Sequence, residues 1–258
     1  MITSKDNDIV KNASKLVKSS KHRKTARQFT AEGVRLCCDG VRSGYKPALF
    51  LYTSDAERKY NDFFKEIICT SEKSFEVSQT VFERISDTKS PQGFFCVFNV
   101  LDKNKNLYRI DNQSTYIGLE NIQDPSNMGT ILRTAEALGI DGVILSGDCC
   151  DIYSPKVVRG SMGAVFRIPF TVKDDFCGYL KELRKKGVTV YASTPYNAED
   201  ISKVSFNGGV MLIGNEGSGL TEDSLALSTV KVKIPMKGRA ESLNAAAAAG
   251  ILMWEMLR

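Results

Sequence analysis

The chain has 258 residues, of which 42% are hydrophobic and 25% are charged, as in an ordinary globular protein. This composition excludes intrinsic disorder, collagen and a disulfide-rich scaffold, and the length allows one large domain or two modest ones. The net charge is +5, but the segment from Lys11 to Lys46 carries ten basic and two acidic residues, so it holds +8 and the remaining chain −3. Such a concentrated basic segment indicates a polyanionic partner.

Cysteine and histidine usage argues against a metal site. The seven cysteines form no Cys-x-x-Cys pair, and His22 is the single histidine, which leaves too few imidazoles for a histidine-based metal site. We therefore predict no metal and reduced, mostly buried thiols. The chain starts without the apolar segment of a signal peptide, and no run approaches the ~20 apolar residues of a membrane span. We expect a cytoplasmic protein with no membrane partner.

The first hundred residues alternate helical and strand-like patterns, which is typical of a small α/β domain. Amphipathic spacing predicts helices over residues 9–18 and 31–42. Short apolar runs predict strands at 49–53 and 93–100, and a helix is predicted from about 55 to 67.

A basic cluster follows the first predicted helix, at Lys21, Arg23, Lys24 and Arg27. Lys and Arg contacts to phosphates supply most of the non-specific affinity of proteins for nucleic acid. A solvated basic face would give the same pattern, so both interpretations stay open at this point.

Residues 101–114 are polar and lie between the apolar runs at 93–100 and 115–120. We predict a linker there. The predicted domains are then residues 1–100 and residues 115–258.

Three polar clusters organise the second domain. A strand at 115–120 leads through a Pro-containing loop to a helix near Asn127, with Ser126 or Asn127 as its N-cap. A second strand stops at a glycine loop before a helix near Thr221, and a third, at 230–234, precedes an alanine-rich helix that Ser242 could cap. The glycine loop matches neither the dinucleotide fingerprint nor a P-loop. Each cluster alone is explained by capping and turns.

In this order and spacing, the three clusters resemble the motifs of the SpoU/TrmH family of RNA 2′-O-ribose methyltransferases, in the SPOUT superfamily. The resemblance covers about 115 to 258. The stretch RQFTAEGVRL is similar to the ribosomal-protein-like α/β substrate-binding domain often attached to these enzymes. The matching residues are Asn127 through Arg133, Gly214 through Leu220, Ile234-Pro235-Met236, and Ser242-Leu243-Asn244.

One departure follows the third motif. Family members commonly continue with Val-Ser-Val-Ala after Ser-Leu-Asn, whereas Ala245 to Ala249 are all alanine here. The small size is kept, but a hydroxyl group is missing.

The resemblance implies an α/β fold with a parallel sheet and a deep trefoil knot, S-adenosylmethionine as cofactor, and a homodimer with active sites near the subunit interface. The implied catalytic residues are Arg133, Asn127, Glu216, Ser242 and Asn244. The implied cofactor-binding residues are Thr194, Gly214, Glu216, Gly217, Ile234, Met236 and Leu243. For RNA binding we expect Lys21, Arg23, Lys24 and Arg27, and for the dimer interface the terminal helix with Trp254.

The expected reaction is methylation of a ribose 2′-hydroxyl in structured RNA, with 23S rRNA preferred over tRNA. A catalytically inactive RNA-binding ribosome-assembly factor is one alternative, against which the intact motif residues argue. A base methyltransferase of the wider superfamily is another, but Ser242-Leu243-Asn244 favours ribose chemistry.

Overall fold

The computed structural model describes residues 1–101, 110–111 and 113–258, and these form two compact units. The first unit contains Met1–Leu101 and Asp151–Phe166. The second contains the described residues between Asp102 and Cys150 together with Arg167–Arg258. A segment from the second half of the sequence therefore completes the first unit. The predicted linker falls mostly on 102–109 and 112, which lie outside the described residues, and the domain limits drawn from the sequence stay a prediction.

Helices and strands alternate along most of the chain. The helices are α1 (Asp8–Lys18), α2 (Ser20–Ala26), α3 (Val34–Arg42), α4 (Ser54–Lys59), α5 (Asn61–Thr70), α6 (Gln79–Ile85), α7 (Pro125–Leu138), α8 (Pro155–Gly160), α9 (Ala164–Arg167), α10 (Phe176–Lys185), α11 (Glu222–Leu227) and α12 (Ala245–Leu257). The strands are β1 (Gln28–Glu32), β2 (Leu49–Tyr52), β3 (Ser74–Glu76), β4 (Phe94–Asn99), β5 (Thr115–Leu119), β6 (Gly142–Ser146), β7 (Phe170–Lys173), β8 (Val190–Ser193), β9 (Glu199–Asp200), β10 (Gly209–Ile213) and β11 (Val230–Lys233). A short 3₁₀ helix spans Ile201–Lys203.

The first unit is built on a four-stranded sheet in the order β1-β4-β2-β3, with β2 and β3 parallel and the other pairs antiparallel. Phe29 of β1, Phe98 of β4 and Phe166 of α9 are buried and pack with ring centroids 5.1–5.8 Å apart. Gly40 of α3 permits this packing, because a Cβ there would lie 2.5 Å from the Phe98 ring. Phe166, from the segment Asp151–Phe166, is thus part of the core of the first unit.

Most predicted elements of the first unit are confirmed, with two corrections. The helix predicted over 31–42 begins only at Val34, because Ala31 and Glu32 belong to β1 and pair with β4. Gly33, with φ +100°, makes the turn between the strand and the helix. The helix predicted from about 55 to 67 is divided into α4 and α5 at Tyr60, whose φ of −121° is not helical.

The second unit is built on a seven-stranded parallel sheet in the order β7-β6-β5-β10-β8-β11-β9. All residues of β5, β6 and β10 are buried, as expected for strands covered on both faces. Helix α12 packs against α7. The predicted α/β class with a parallel sheet is confirmed, and the trefoil knot stays a prediction.

All seven cysteines are free thiols, and their burial is less complete than the sequence indicated. Cys37, Cys38 and Cys96 are buried, Cys69 is exposed, and the others are half-buried. Burial, with a smaller contribution from the nearby Glu66 carboxylate, raises the pKa of Cys38 to about 12. Among the described residues there is no cluster of His, Cys, Asp and Glu that could hold a metal ion, and no helix is long and apolar enough to cross a membrane.

Candidate active site

The residues predicted for the site lie at one edge of the parallel sheet. Strands β5, β10, β8 and β11 are neighbours in that order. Glu120 follows β5, Gly214 follows β10, Thr194 follows β8 and Ile234 follows β11. Because the strands are parallel, their carboxyl ends meet at the same edge, which is where open α/β sheets bind ligands.

Helix α7 begins at Pro125, two residues earlier than the sequence predicted. Its N-cap is Asp124, whose carboxylate accepts a hydrogen bond from the backbone N–H of Ser126 at 2.8 Å. The prediction of Ser126 or Asn127 as the cap is wrong, because Asp124 satisfies this end of the helix and Pro125 fits its first position. Asn127 therefore lies inside the first turn, buried to 6% exposure, and its amide is available to other partners.

A chain of hydrogen bonds joins the three motif loops. The Nδ2 of Asn127 donates to Oε1 of Glu216 at 2.9 Å, and its Oδ1 accepts from Nδ2 of Asn244, also at 2.9 Å. The Oδ1 of Asn244 accepts from the backbone N–H groups of Ala246 at 2.9 Å and Ala247 at 3.3 Å. Because a backbone N–H can only donate, these two bonds fix the orientation of the Asn244 amide and, through it, that of Asn127.

The N-cap of α12 is accordingly Asn244, and the prediction of Ser242 in that position is wrong. Asn244 follows a loop and is adjacent to the first helical residue, as a cap must be. Ser242 is exposed, and within the described ranges its hydroxyl makes no hydrogen bond. It is one of the two predicted catalytic residues whose polar groups are not already engaged.

Glu216 is held as a carboxylate by several donors. Its Oε1 also accepts from the backbone N–H of Asp124 at 3.1 Å, and its Oε2 from that of Gln123 at 3.2 Å. Partial burial raises the pKa of this carboxyl, but the hydrogen bonds from Asn127, Asp124 and Gln123 outweigh that effect, so the pKa lies below its ordinary value of 4.5. The group is ionised at neutral pH and is a weak base.

The loop after β10 folds back on itself at Gly214. A Cβ on Gly214 would lie 2.2 Å from the carbonyl carbon of Gly219, so only glycine fits there. Asn215, which the sequence analysis did not single out, pairs its backbone with that of Gly219 through two 3.0 Å hydrogen bonds. Its side chain accepts from the N–H of Gly217 at 2.9 Å and donates to the carbonyl of Asn121 at 2.8 Å. Its place between Gly214 and Glu216 was the one sequence signal for this role.

Apolar side chains accompany this loop at the same edge. Ile234 is half-buried, whereas Met236 and Leu243 expose 39% and 37% of their surface in the loop between β11 and α12. Thr194 is buried, and its hydroxyl accepts from the backbone N–H of Tyr196 at 3.3 Å. Close backbone at Gly214 and exposed apolar side chains provide a surface on which the ring faces of a ligand could pack.

Unlike these apolar side chains, Arg133 is charged. It lies on α7, six residues after Asn127, and its side chain is exposed. In the part of the chain that the structure describes, no hydrogen bond or ion pair engages its guanidinium. Arg133 is therefore an uncommitted cation on α7, the helix that also contains the hydrogen-bonded Asn127.

Glu120 is a buried acid that the sequence analysis gave no role. Its Oε1 accepts from the hydroxyls of Thr221 at 2.8 Å and Ser224 at 2.7 Å, and its Oε2 accepts from the Thr221 N–H at 3.0 Å. These bonds tie the end of β5 to the start of α11. An acidic residue that directly follows a wholly apolar strand was the signal for a buried, bonded carboxylate.

The residues predicted to bind RNA belong to the first unit. Lys21, Lys24 and Arg27 are exposed on α2 and at its C-cap. Arg23 is only 5% exposed, pairs with Asp151 at 2.7 Å and donates to the carbonyl of Leu16 at 2.7 Å. The expectation that Arg23 contacts RNA is therefore corrected: its guanidinium is used inside the first unit.

Comparison with known proteins agrees with both units. Residues 114–254 match the SpoU rRNA Methylase family, and residues 7–96 match the MRM3-like substrate binding domain. The chain is 31% identical to a Synechocystis protein named as an uncharacterized tRNA/rRNA methyltransferase, over 100% of this chain and 93% of that protein. It is 29% identical to RlmP of Bacillus subtilis, a 23S rRNA guanosine 2′-O-methyltransferase, over 99% and 98%.

A solved structure shares the same architecture over nearly the whole chain. The crystal structure of AdoMet-bound rRNA methyltransferase from Sinorhizobium meliloti has a TM-score of 0.88 at 30% identity, covering 99% of this chain and 96% of that one. The family match spans more than half of the chain and includes every motif loop described above. The protein is thus an RNA methyltransferase, and it belongs to the SpoU rRNA methylase family.

Proposed function

We propose that the protein transfers the methyl group of S-adenosylmethionine to a ribose 2′-hydroxyl of 23S rRNA. The observation that carries this proposal is the chain Glu216–Asn127–Asn244, which joins three loops at the carboxyl edge of the sheet. The exposed Arg133 lies on α7, the helix that contains Asn127. The similarity to RlmP, which is named for this reaction on 23S rRNA, supports the substrate. The name of the Synechocystis relative leaves tRNA as the alternative substrate.

The loops at the sheet edge suit the cofactor that the Sinorhizobium meliloti protein binds. Gly214, Ile234 and Leu243 would hold S-adenosylmethionine through backbone and apolar surface, and the additional wall residues would be Thr194, Glu216, Gly217 and Met236. Bound there, the cofactor supplies a methyl group that its sulfonium already activates. The protein then has to align the reacting atoms and help remove one proton.

Arg133 acts on charge rather than as a base. A guanidinium stays protonated at any ordinary pH, so it cannot accept the proton of the 2′-hydroxyl. It is exposed and has no partner among the described residues, so it can bind a substrate phosphate or stabilise the oxygen as negative charge develops on it. The proton leaves to phosphate or water.

Asn127, Glu216 and Asn244 have a supporting role in this scheme. Their hydrogen-bonding groups are directed at one another and at backbone N–H groups. They therefore hold the loops in one arrangement, whereas the exposed hydroxyl of Ser242 remains available to orient the ribose. The missing hydroxyl in the alanine stretch is not needed for this chain of bonds, because Ala246 and Ala247 take part through their backbone.

The first unit supplies affinity for RNA. Lys21, Lys24 and Arg27 are exposed and would contact phosphates, which position a nucleic acid without reading its sequence. Intact motif residues argue against a catalytically inactive assembly factor. The expected compartment is the cytoplasm, where the ribosomal RNA of a bacterium lies.

The proposal includes a homodimer formed through α12. Ile251, Trp254 and Leu257 are 39%, 59% and 43% exposed on this helix, and a second copy would bury them. Sedimentation at micromolar concentration should show a dimer, and Trp254→Arg should shift it to monomer with an unchanged circular dichroism spectrum. A wild-type protein that sediments only as a monomer contradicts the dimer.

Ribose-methylation mapping tests the proposed function in the cell. Total RNA from a strain lacking the protein, compared with its parent, should lose one 2′-O-methyl nucleotide in 23S rRNA. Loss of a tRNA ribose methylation would favour the alternative substrate. Loss of a base methylation, or no loss, would contradict the proposed reaction.

A further inference from the structure

The first unit has a basic groove that lies along α1 and is separate from the basic cluster of α2. The open groove has a volume of about 380 Å³ and lies along α1, and Arg84 of α6, the helix that packs against α1, also lines it. Its charged lining residues are Lys5, Asp6, Lys11, Lys15 and Arg84. With four basic side chains and one acidic one, this lining carries a net charge of +3.

The basic side chains of α1 form one stripe. Lys11, Lys15 and Lys18 follow each other at intervals of four and three residues and are exposed, while Val10, Ala13 and Leu16 on the other face are buried. The rise of 1.5 Å per residue makes this stripe about 10 Å long. The helix therefore presents a row of cations, of which Lys11 and Lys15 line the groove, and its own apolar face holds this row in place.

The acid in the groove does not neutralise it. Asp6 reaches the Nζ of Lys11 at 3.6 Å, but the two side chains are 91% and 51% exposed, and pairs of this kind are weak and screened by salt. Lys5, Lys15 and Arg84 have no ion-pair partner among the described residues. Four cations around an open groove, three of them unpaired, are complementary to a run of phosphates.

We propose that the α1–α6 groove binds the phosphate backbone of the substrate RNA, as a second contact surface of the first unit. This inference rests on the proposed function, since it assigns the occupant as RNA. Charge complementarity carries it: four basic side chains and one acidic one line the groove, and two of the four, Lys11 and Lys15, belong to the strongly basic segment from Lys11 to Lys46. Phosphate contacts of this kind are independent of sequence and add to affinity and register.

Matched triple substitutions test the groove. The groove variant is K11Q/K15Q/R84Q, and the control variant K65Q/K73Q/K89Q removes the same charge from exposed positions of the first unit outside the groove. Binding of a labelled RNA hairpin is followed by fluorescence anisotropy at several salt concentrations. S-adenosylmethionine binding and thermal midpoint are measured in parallel to confirm that both variants are folded.

The groove variant should bind the hairpin about tenfold more weakly or worse, and its slope of log K against log salt should be shallower by about 2, because each lost phosphate contact removes about 0.7. The control should stay within about threefold of wild type, with little change in the salt slope. Equal losses of RNA affinity in the two variants, or an unchanged salt slope in the groove variant, would contradict RNA binding by the groove. If the wild-type protein still methylates RNA, the proposed function stands. A wild-type protein that binds and methylates no RNA would overturn the proposed function and the groove together.

Discussion

At the scale of single residues, two charged side chains of the site have opposite surroundings. Glu216 accepts hydrogen bonds from Asn127 and from two backbone N–H groups, whereas Arg133 is exposed and unpaired in the described part of the chain. A side chain with every group engaged holds structure, and a side chain with none engaged is available to the substrate. Substitutions at the two positions should therefore have different effects, on stability at Glu216 and on catalysis at Arg133.

Replacing Arg133 with alanine should remove catalysis and leave the protein folded. We expect a fall in kcat of about 10²-fold or more, since the loss of one stabilising donor at a developing oxyanion has that effect. Its thermal midpoint and S-adenosylmethionine affinity should match wild type, because Arg133 makes no hydrogen bond or ion pair with any residue that the structure describes. Arg184→Ala, an equally exposed arginine on α10, is the control and should keep full activity. Near-normal turnover by Arg133→Ala would contradict the assigned role.

Replacing Glu216 with glutamine should lower stability in a pH-dependent way. The pKa of Glu216 is below its ordinary value of 4.5 in the folded protein, so the ionised carboxylate adds stability above about pH 4.5. That contribution is lost as the pH falls through the lowered folded-state pKa. The difference in thermal midpoint between wild type and Glu216→Gln should be constant near neutrality and should shrink toward roughly pH 3. A gap that widens in acid would rule out the hydrogen-bonded carboxylate.

The chemical types of the site residues could be predicted from the sequence, but their partners could not. Asn127 and Asn244 were expected to face the ribose, and the structure shows that they bond to each other and to neighbouring loops. Arg23 sits in the same basic run as Lys21 and Lys24, yet it alone is buried, because Asp151 lies 128 residues away in the chain and beside it in space. Local spacing carries no information on such long-range pairs.

At the scale of elements, the loop after β10 is shaped by its own backbone. Gly214 and Gly219 approach so closely that any side chain on Gly214 would collide with main-chain atoms, which cannot move aside as a flexible side chain can. Asn215 closes the loop through its backbone and its amide. The glycines are thus explained by packing within the loop as well as by room for a ligand.

Gly214→Ala should open this loop. We expect a loss of about 1–3 kcal/mol in the free energy of unfolding, typical of overpacking, and a clear loss of S-adenosylmethionine affinity by calorimetry. Gly217→Ala is the comparison, since its added Cβ would meet only Oδ1 of Asn215 at 3.6 Å. It should keep the wild-type thermal midpoint. Equal thermal midpoints for the two variants would show that the close backbone approach at Gly214 does not determine the stability of the loop.

Sequence periodicity located most helices and strands and misplaced their ends. The strand at 49–53 and the helix at 9–18 were predicted nearly to the residue, because the strand is a short apolar run and the helix has a clear amphipathic period. The start of α3 was misplaced, since Ala31 and Glu32 suit a helix as well as a strand and only pairing with β4 decides between them. The N-caps considered for α7 and α12 also lie two or three residues away from Asp124 and Asn244.

At the scale of the whole molecule, the first unit is discontinuous in sequence. Tyr153 accepts a hydrogen bond from the backbone of Leu101 at 2.9 Å, and Phe166 packs on Phe29, so the segment Asp151–Phe166 is part of this unit's fold. No composition shift marks this segment, and periodicity cannot say which sheet a helix will cover. A division of the chain at the linker was the most that the sequence allowed.

The buried pair Arg23–Asp151 should stabilise the first unit strongly. Its side chains are 6% and 15% exposed, and removing one partner of a buried pair costs about 3–5 kcal/mol, because the other charge is left uncompensated. Asp151→Ala should show this loss in urea unfolding. Asp87→Ala, which breaks the exposed 2.9 Å pair with Arg159, should cost below about 1 kcal/mol. Similar losses in both variants would contradict a structural role specific to Arg23.

The central claim is methyl transfer to a ribose of 23S rRNA, and one assay tests it directly. Purified protein is incubated with S-adenosylmethionine carrying a labelled methyl group and with 23S rRNA from a strain lacking the protein, and the RNA is then digested to nucleosides. We expect the label to elute with a single 2′-O-methyl nucleoside, and we expect Arg133→Ala to abolish this labelling. Label on a base, or no transfer by wild-type protein that binds S-adenosylmethionine, would contradict the account.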